Sequence, residues 1–223
     1  MPPKPKFAKE ELIQAALELT RESGLDMVVA RNLGKKLNTA PSTIFTHFNS
    51  VEEIRQAVVD AAREIYNGYV EEGLKMVPPM KGFAVQYIRF AMEESNLYSV
   101  LFMNKREDFK YVDFIINEGH YENMITVAQD IFSLNRDQAE LLYHNMWAYA
   151  HGIAVMCATS VCEISLEEIS QMLGMACRSF LIGMRVSRDE REGIMPKEGG
   201  VVPGAIESYV ASDRGNKKER DEV

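Results

Sequence analysis

The sequence predicts an all-α protein: a small three-helix unit followed by a larger helical bundle. Apolar residues recur at helical spacing along nearly the whole chain, and no useful stretch alternates as a strand does. Ser50, Asn135 and Ser165 are each followed three residues later by Glu or Gln, the pattern that opens helices. Gly24, Asn38-Thr39 and Pro78-Pro79 fall where the periodicity pauses, as helix stops do.

Each element follows from these signals. Residues 9–23 form a first helix with Leu12, Ala15, Ala16 and Leu19 as its apolar stripe, stopped by Gly24. A second helix spans 29–37, and Asn38-Thr39 turn the chain. Pro41, at a first helical position, opens a third helix over 41–47. From the Ser50 cap a fourth helix runs through Ile54, Val58, Ala61, Ile65 and Tyr69 to Met76. At about 1.5 Å per residue it spans about 37 Å, enough to leave one unit and enter another. Helices over 81–94 and 97–103 precede a charged break at 104–108. A long helix over 109–132 follows, then helices over 139–161 and 165–188. Residues 189–223, rich in Gly, Pro and charge, read as a loose tail with one turn at 205–210. The expected division is 1–50, 51–188 and 189–223.

Composition narrows the class. The 223 residues are 46% hydrophobic and 26% charged, enough for a real core without membrane-spanning runs. No apolar leader core opens the chain, and three odd cysteines, Cys157, Cys162 and Cys177, sit in apolar helical stretches. Buried free thiols in a cytoplasmic protein are the expectation. The net charge of −8 is unevenly spread: residues 1–50 carry seven lysines and arginines against five acids, so the basic end sits on an acidic body.

Residues 28–48, VVARNLGKKLNTAPSTIFTHF, have the build of a helix-turn-helix reader of the DNA major groove. The last helix buries little by itself. Leu33, Leu37, Ile44 and Phe48 have the spacing to lock it over the first, leaving Pro41, Ser42, Thr43, Thr46 and His47 outward. Its early residues suit base edges, while Thr43 and His47 suit phosphate oxygens. Lys4, Lys6 and Lys9 form a basic arm fit for backbone or minor-groove contact.

Gly24-Leu25, Arg31-Asn32-Leu33-Gly34, Thr43-Ile44-Phe45, His47-Phe48 and Ser50-Val51-Glu52-Glu53-Ile54 follow one another without a gap. In this order and spacing, residues 9–54 resemble the DNA-binding domain of TetR/AcrR transcriptional regulators. The resemblance adds Arg31 as a residue that reaches a base or phosphate. It implies a DNA-facing set of Lys4, Lys6, Arg31, Ala40, Pro41, Ser42, Thr43, Phe45, Thr46 and His47. Four positions depart from the pattern: Val28, Ala40, Phe45 and Val51 stand where Thr, Ser, Tyr and Lys are usual. Two of these remove N-cap oxygens, each worth about 1 kcal/mol.

The second half offers a further likeness. Trp147-Ala148-Tyr149-Ala150-His151-Gly152, with Glu94-Ser95-Asn96-Leu97-Tyr98 and Leu101-Phe102 before it, is similar to the TetR ligand-binding class named for its Trp-His-Gly motif. That class implies an effector cavity and a dimer. Candidate cavity residues are Phe83, Tyr87, Phe90, Phe102, Phe114, Tyr121, Met124, Trp147 and His151, suited to a small hydrophobic effector. The plainer reading, which is preferred for these two residues, takes Trp147 as a packing anchor and His151 as a satisfied core histidine. Glu118 and Glu122, one turn apart, read as a solvated face. The last two long helices are apolar on more than one side, which fits either a dimer or one thick monomeric core. For the dimer, Tyr149, Ile153, Met172, Met175, Ile182 and Val186 are the expected interface.

Catalysis finds no support. His144 and His151 lie about 10.5 Å apart along a helix, Cys157 and Cys162 lack zinc-knuckle spacing, and no nucleophile motif or phosphate loop occurs. The expected protein has no cofactor and no membrane. It is a homodimeric regulator, most simply a repressor, that binds a near-palindromic double-stranded operator and leaves it on taking up an effector. The alternative is the same fold serving small-molecule or protein binding with operator binding weakened or lost.

Overall fold

A computed structural model describes residues 6–103 and 119–185, and among these the regular structure is helical throughout. The elements are α1 (Lys9–Ser23), α2 (Ala30–Lys36), α3 (Val51–Leu74), α4 (Pro79–Glu93), α5 (Ser95–Tyr98), α6 (Tyr121–Phe132), α7 (Arg136–Ala158) and α8 (Leu166–Arg185). Short 3₁₀ segments cover Leu25–Met27 and Pro41–Thr46, and a π turn, Ser99–Met103, continues α5. Lys4, Phe114, Glu118, Val186, the break at 104–108, the start of the long helix expected from 109 and the tail at 189–223 lie outside the described residues.

Local chemistry explains most of the helix ends. At α1 the Ala8 N–H donates to the Glu11 carboxylate (2.7 Å). Its other end closes at Gly24, whose φ of 85° suits glycine alone and whose N–H reaches Thr20 O at 2.8 Å. Ser50 caps α3 by accepting from Glu53 N (3.1 Å). Asn135 and Gln138 close a reciprocal box at α7 (2.9 and 3.1 Å), and Ser165 with Glu168 does the same at α8 (3.2 and 2.9 Å).

Two expectations about faces need correcting. On α1 the buried set is Leu12, Ala15, Ala16, Leu17 and Thr20, with Leu19 only half-buried. On α3 the buried ridge is Ile54, Val58, Ala62, Tyr66 and Val70, while Ala61, Ile65 and Tyr69 are half-buried. Both ridges are compatible with helical period; the packing partner selects between them. Tyr66 wins because its ring meets Phe102 at 5.0 Å and Phe90 at 5.4 Å.

The third helix expected over 41–47 is a six-residue 3₁₀ segment instead. Pro41 has no N–H, and the first turn closes i→i+3, Thr43 N to Ala40 O at 2.9 Å. Thr46 Oγ1 then donates to Thr43 O (2.8 Å), taking a carbonyl a longer helix needs. Gly34 of α2 lies against this segment; a Cβ there would sit 2.9 Å from Thr39 O.

In the body, α4 is the central element, buried along Met80–Ile88 except at half-buried Lys81, and packed on α3, α6 and α7. Gly73 and Gly82 bring α3 and α4 into backbone contact, since a Cβ on Gly73 would lie 2.8 Å from Gly82 O. Because α1 packs on α3 and α5, the N-terminal helices join the body in one compact unit, Met1–Arg178. A second unit, Ser179–Val223, is described only through Arg185.

Candidate nucleic-acid interface and aromatic cavity

The helix-turn-helix surface forms because Val28, Leu33, Ile44 and Phe48 are buried beneath it. Burial of Ile44 and Phe48 turns Ala40, Pro41, Ser42, Phe45 and Thr46 outward, with Phe45 44% exposed. Arg31 is exposed one turn before Lys35, and both line a groove with Gly34, Asn38, Thr39 and Pro41. Lys35 and Asn38 were absent from the sequence expectation, although Lys35 lies at i+4 from Arg31 on the same face. Lys36 points elsewhere, bridging Glu18 and Glu22 at 3.4 and 2.8 Å.

Residues 6–9 of the basic arm lie on this surface. Lys6 Nζ donates to Thr39 Oγ1 (3.5 Å), and Lys9 lies over the Phe48 ring at 5.3 Å. His47 Nε2 is 2.8 Å from Phe7 O. A carbonyl only accepts, so His47 carries its proton on Nε2 and donates it to the arm. The Nε2 of His47, a residue expected to meet phosphate oxygens, is thus bonded within the chain in this arrangement. Thr43 is half-buried, its hydroxyl 3.1 Å from that of Thr39.

The missing polar anchors have structural consequences. Val28 is wholly buried, and the residues before α2 and before the 3₁₀ segment, Val29 and Ala40, make no side-chain cap. Arg55 of α3 holds the preceding turn instead, donating to Val28 O at 3.2 Å and Asp26 O at 3.1 Å.

In the body, Tyr87 of α4, Tyr98 of α5 and His151 of α7 converge. Both hydroxyls lie within reach of His151 Nδ1, at 2.9 and 2.8 Å, and 3.2 Å from each other. Trp147, one turn before His151, stacks on it with centroids 4.8 Å apart and planes at 10°. Burial holds the His151 pKa below its ordinary 6.5, so the ring is neutral at neutral pH. A cavity beside this cluster is lined by Met80, Phe83, Ala84, Tyr87, Tyr143, Met146, Trp147 and Ala150. It has about 20 Å³ of room, enough for about one water.

Of the expected cavity residues, Phe83, Tyr87 and Trp147 line this space and His151 stacks behind it. Phe90 and Phe102 belong to the ring cluster around Tyr66, Tyr121 packs on Tyr143 (5.3 Å), and Met124 is buried core. Tyr98, Tyr143, Met80 and Met146 were missed; Tyr98 stood within the quoted motif, four residues after Glu94.

On α7 the outward face is Leu141 (51% exposed), Ala148, Gly152 and Met156, with Asn145 half-buried among them. Ile153, expected at a dimer interface, is 2% exposed inside the protomer, because it faces the core one position around. Tyr149 and Met172 are half-buried; Met175 is 64% exposed, and Ile182, beyond Arg178, is also exposed. The three cysteines are half-buried thiols, less enclosed than expected. Among the described residues, no group of three or more His, Cys, Asp or Glu is placed to hold a metal ion. No described helix is long and apolar enough to cross a membrane.

No protein-family model matches the chain. It is similar to the uncharacterized HTH-type transcriptional regulator YobS of Bacillus subtilis (strain 168), 23% identical over 195 residues. The match covers 84% of this chain and 97% of that relative.

Proposed function

We propose that this chain is a DNA-binding transcriptional regulator of TetR/AcrR type, a homodimer that represses by occupying a near-palindromic operator and releases it on binding a small apolar effector. The observation that carries the reading is the surface made by Arg31, Lys35, Pro41–Thr46 and the docked arm, which gathers cations, hydroxyls and an exposed aromatic ring on one small unit. Phosphates suit Lys6, Arg31 and Lys35; base edges suit Ser42, Phe45 and Thr46. The likeness to a relative named as an HTH-type transcriptional regulator, over 84% of this chain, supports the DNA-binding regulator part of this reading.

Dimerisation through the outward face of α7 and Met175 of α8 gives two such surfaces, the arrangement needed for two successive major grooves. The aromatic cavity is the effector site. Its room of about 20 Å³ compares with about 300 Å³ or more for pockets that hold drug-sized ligands. An effector opens the cavity and shifts the balance to an arrangement that fits the operator less well.

Titration of duplex DNA from upstream of its own gene, at two salt concentrations, tests the reading. Arg31→Ala or Lys35→Ala is expected to weaken binding and lower the salt slope by about 1 each. Absence of any sequence-specific shift across a broad duplex pool favours the second reading, a fold that binds small molecules or proteins. Val28, Ala40, Phe45 and Val51, at positions where polar anchors are usual, give that reading its support.

A further inference from the structure

Two of the three cysteines line one open groove, which shares no lining residue with the aromatic cavity. Cys157 lies in the last turn of α7, and a tight turn follows it. Ser160 N donates to Cys157 O at 3.1 Å and Val161 N to Met156 O at 3.0 Å, with Ser160 in the left-handed region at φ 55°. This bonding pattern turns a chain sharply off a helix end. It brings Cys162 to the same groove as Cys157. From Cys162 to Ser165 the backbone has no regular structure, so a shift of the Cys162 side breaks no helix. Burial pushes the Cys157 thiol up, and the charge of a Cys162 thiolate adds to the push. Cys157 is thus held as the protonated thiol at neutral pH.

The rest of the groove narrows what it takes. Its room is about 510 Å³, within the range of about 300–1,000 Å³ typical of small-molecule sites. Met92 and Ile164 supply apolar walls, and Glu163 is the only charged residue in the lining. Met92 is held in place because Glu94, two residues on, accepts from Arg21 Nη2 at 2.6 Å and Nε at 2.8 Å, tying the end of α4 to α1. A metal ion is a poor occupant, since among the described residues no three His, Cys, Asp or Glu are placed to hold one. A small disulfide matches the lining better. Its sulfurs meet the thiols, its methylene groups meet Met92 and Ile164, and a cationic amine meets Glu163.

We propose that Cys157 and Cys162 form a thiol–disulfide exchange site for small amine-bearing disulfides, in which Cys162 takes up one half and Cys157 displaces it. The Cys162 thiolate attacks one sulfur of the small disulfide, that S–S bond breaks, and one small thiolate leaves. Cys157 then gives up its proton and attacks the Cys162 sulfur, and the second small thiolate leaves. Two protein thiols are oxidised to one disulfide, and one small disulfide is reduced to two small thiols. The new bond ties the end of α7 to the segment that leads into α8. It stands whether or not the chain binds DNA.

Mass spectrometry of the reduced full chain, exposed to cystamine and then digested at its glutamates, tests this. Two hydrogens should be lost from the fragment carrying Cys157 and Cys162, with Cys177 modified at least about tenfold more slowly. Cys157→Ser should accumulate a mixed disulfide at Cys162, since nothing displaces it. Glu163→Gln should slow the reaction with cystamine about threefold and leave that with the uncharged bis(2-hydroxyethyl) disulfide unchanged. The variants only sharpen a result the parent already gives, so a variant that fails to fold does not leave the question open. Absence of the Cys157–Cys162 bond in the parent overturns the proposal. So does a disulfide between two chains on non-reducing electrophoresis, or Cys177 reacting as fast as the pair. A Glu163→Gln protein that slows equally with both disulfides removes the amine preference and overturns the substrate class.

Discussion

His47 and Phe7, 40 residues apart in sequence, are joined by a 2.8 Å hydrogen bond from the imidazole Nε2–H to the backbone carbonyl. This bond fixes where the basic arm lies, next to the turn and the exposed 3₁₀ segment. If the proposed surface binds DNA, His47 is placed to act through Lys6 beside it.

Replacing His47 with Ala should free the arm. Operator affinity should fall, and the salt slope should flatten by about 1 as Lys6 leaves the phosphates. His47→Gln, which can still donate, should recover part of the loss. Deleting residues 1–7 should abolish the effect of His47→Ala; a full effect in the shortened chain means His47 touches DNA directly. Fluorescence anisotropy on the parent, the two His47 variants, the shortened chain and its His47→Ala form measures this.

The proposed dimer face separates two substitutions one position apart on α7. Gly152→Glu is exposed and should leave a folded monomer, whereas Ile153→Glu places a charge in the core and should unfold the protein. Sedimentation velocity with circular dichroism distinguishes the outcomes. A Gly152→Glu protein that stays dimeric places the interface elsewhere.

Backbone contact between α3 and α4 predicts intolerance to a single methyl group. Gly82→Ala should lower unfolding free energy by about 1–3 kcal/mol or more, because the new Cβ overlaps the Gly73 carbonyl and the backbones must part. Gly68→Ala, with open space around its Cβ, should not destabilise and serves as the control in urea titrations.

Acid should weaken the body before it titrates the surface carboxylates. Burial lowers the folded pKa of His151 and of His120, so the unfolded chain binds more protons once pH drops below 6.5. Stability is therefore full above pH 6.5 and declines as pH falls through the lowered folded values. Carboxylates held below 4.5, such as Glu93 through its bonds to Tyr69 and Arg89, lose their contribution only at lower pH. Melting temperatures between pH 7.5 and 5.5 should fall less for His151→Gln than for the parent.

Asn135→Ala should cost about 1 kcal/mol by stripping the Gln138 N–H of its partner at the start of α7. Urea unfolding of this variant tests whether the box read from sequence contributes in the folded chain.

What the sequence by itself determined is local. The helical class, the starts at Ser50, Asn135 and Ser165, and the stop at Gly24 all depend on residues within one turn of each other, so periodicity and capping chemistry reveal them. The helix-turn-helix spacing was legible for the same reason: burial of Leu33, Ile44 and Phe48 leaves their neighbours outward. Tertiary structure decided the rest. Period alone allows either Ala61-Ile65-Tyr69 or Ala62-Tyr66-Val70 to face inward, and the rings of Phe90 and Phe102 make the choice. Likewise the partners of His47, His151 and Arg21 lie 40, 53 and 73 residues away, distances over which sequence carries no geometric constraint until the packed core supplies one.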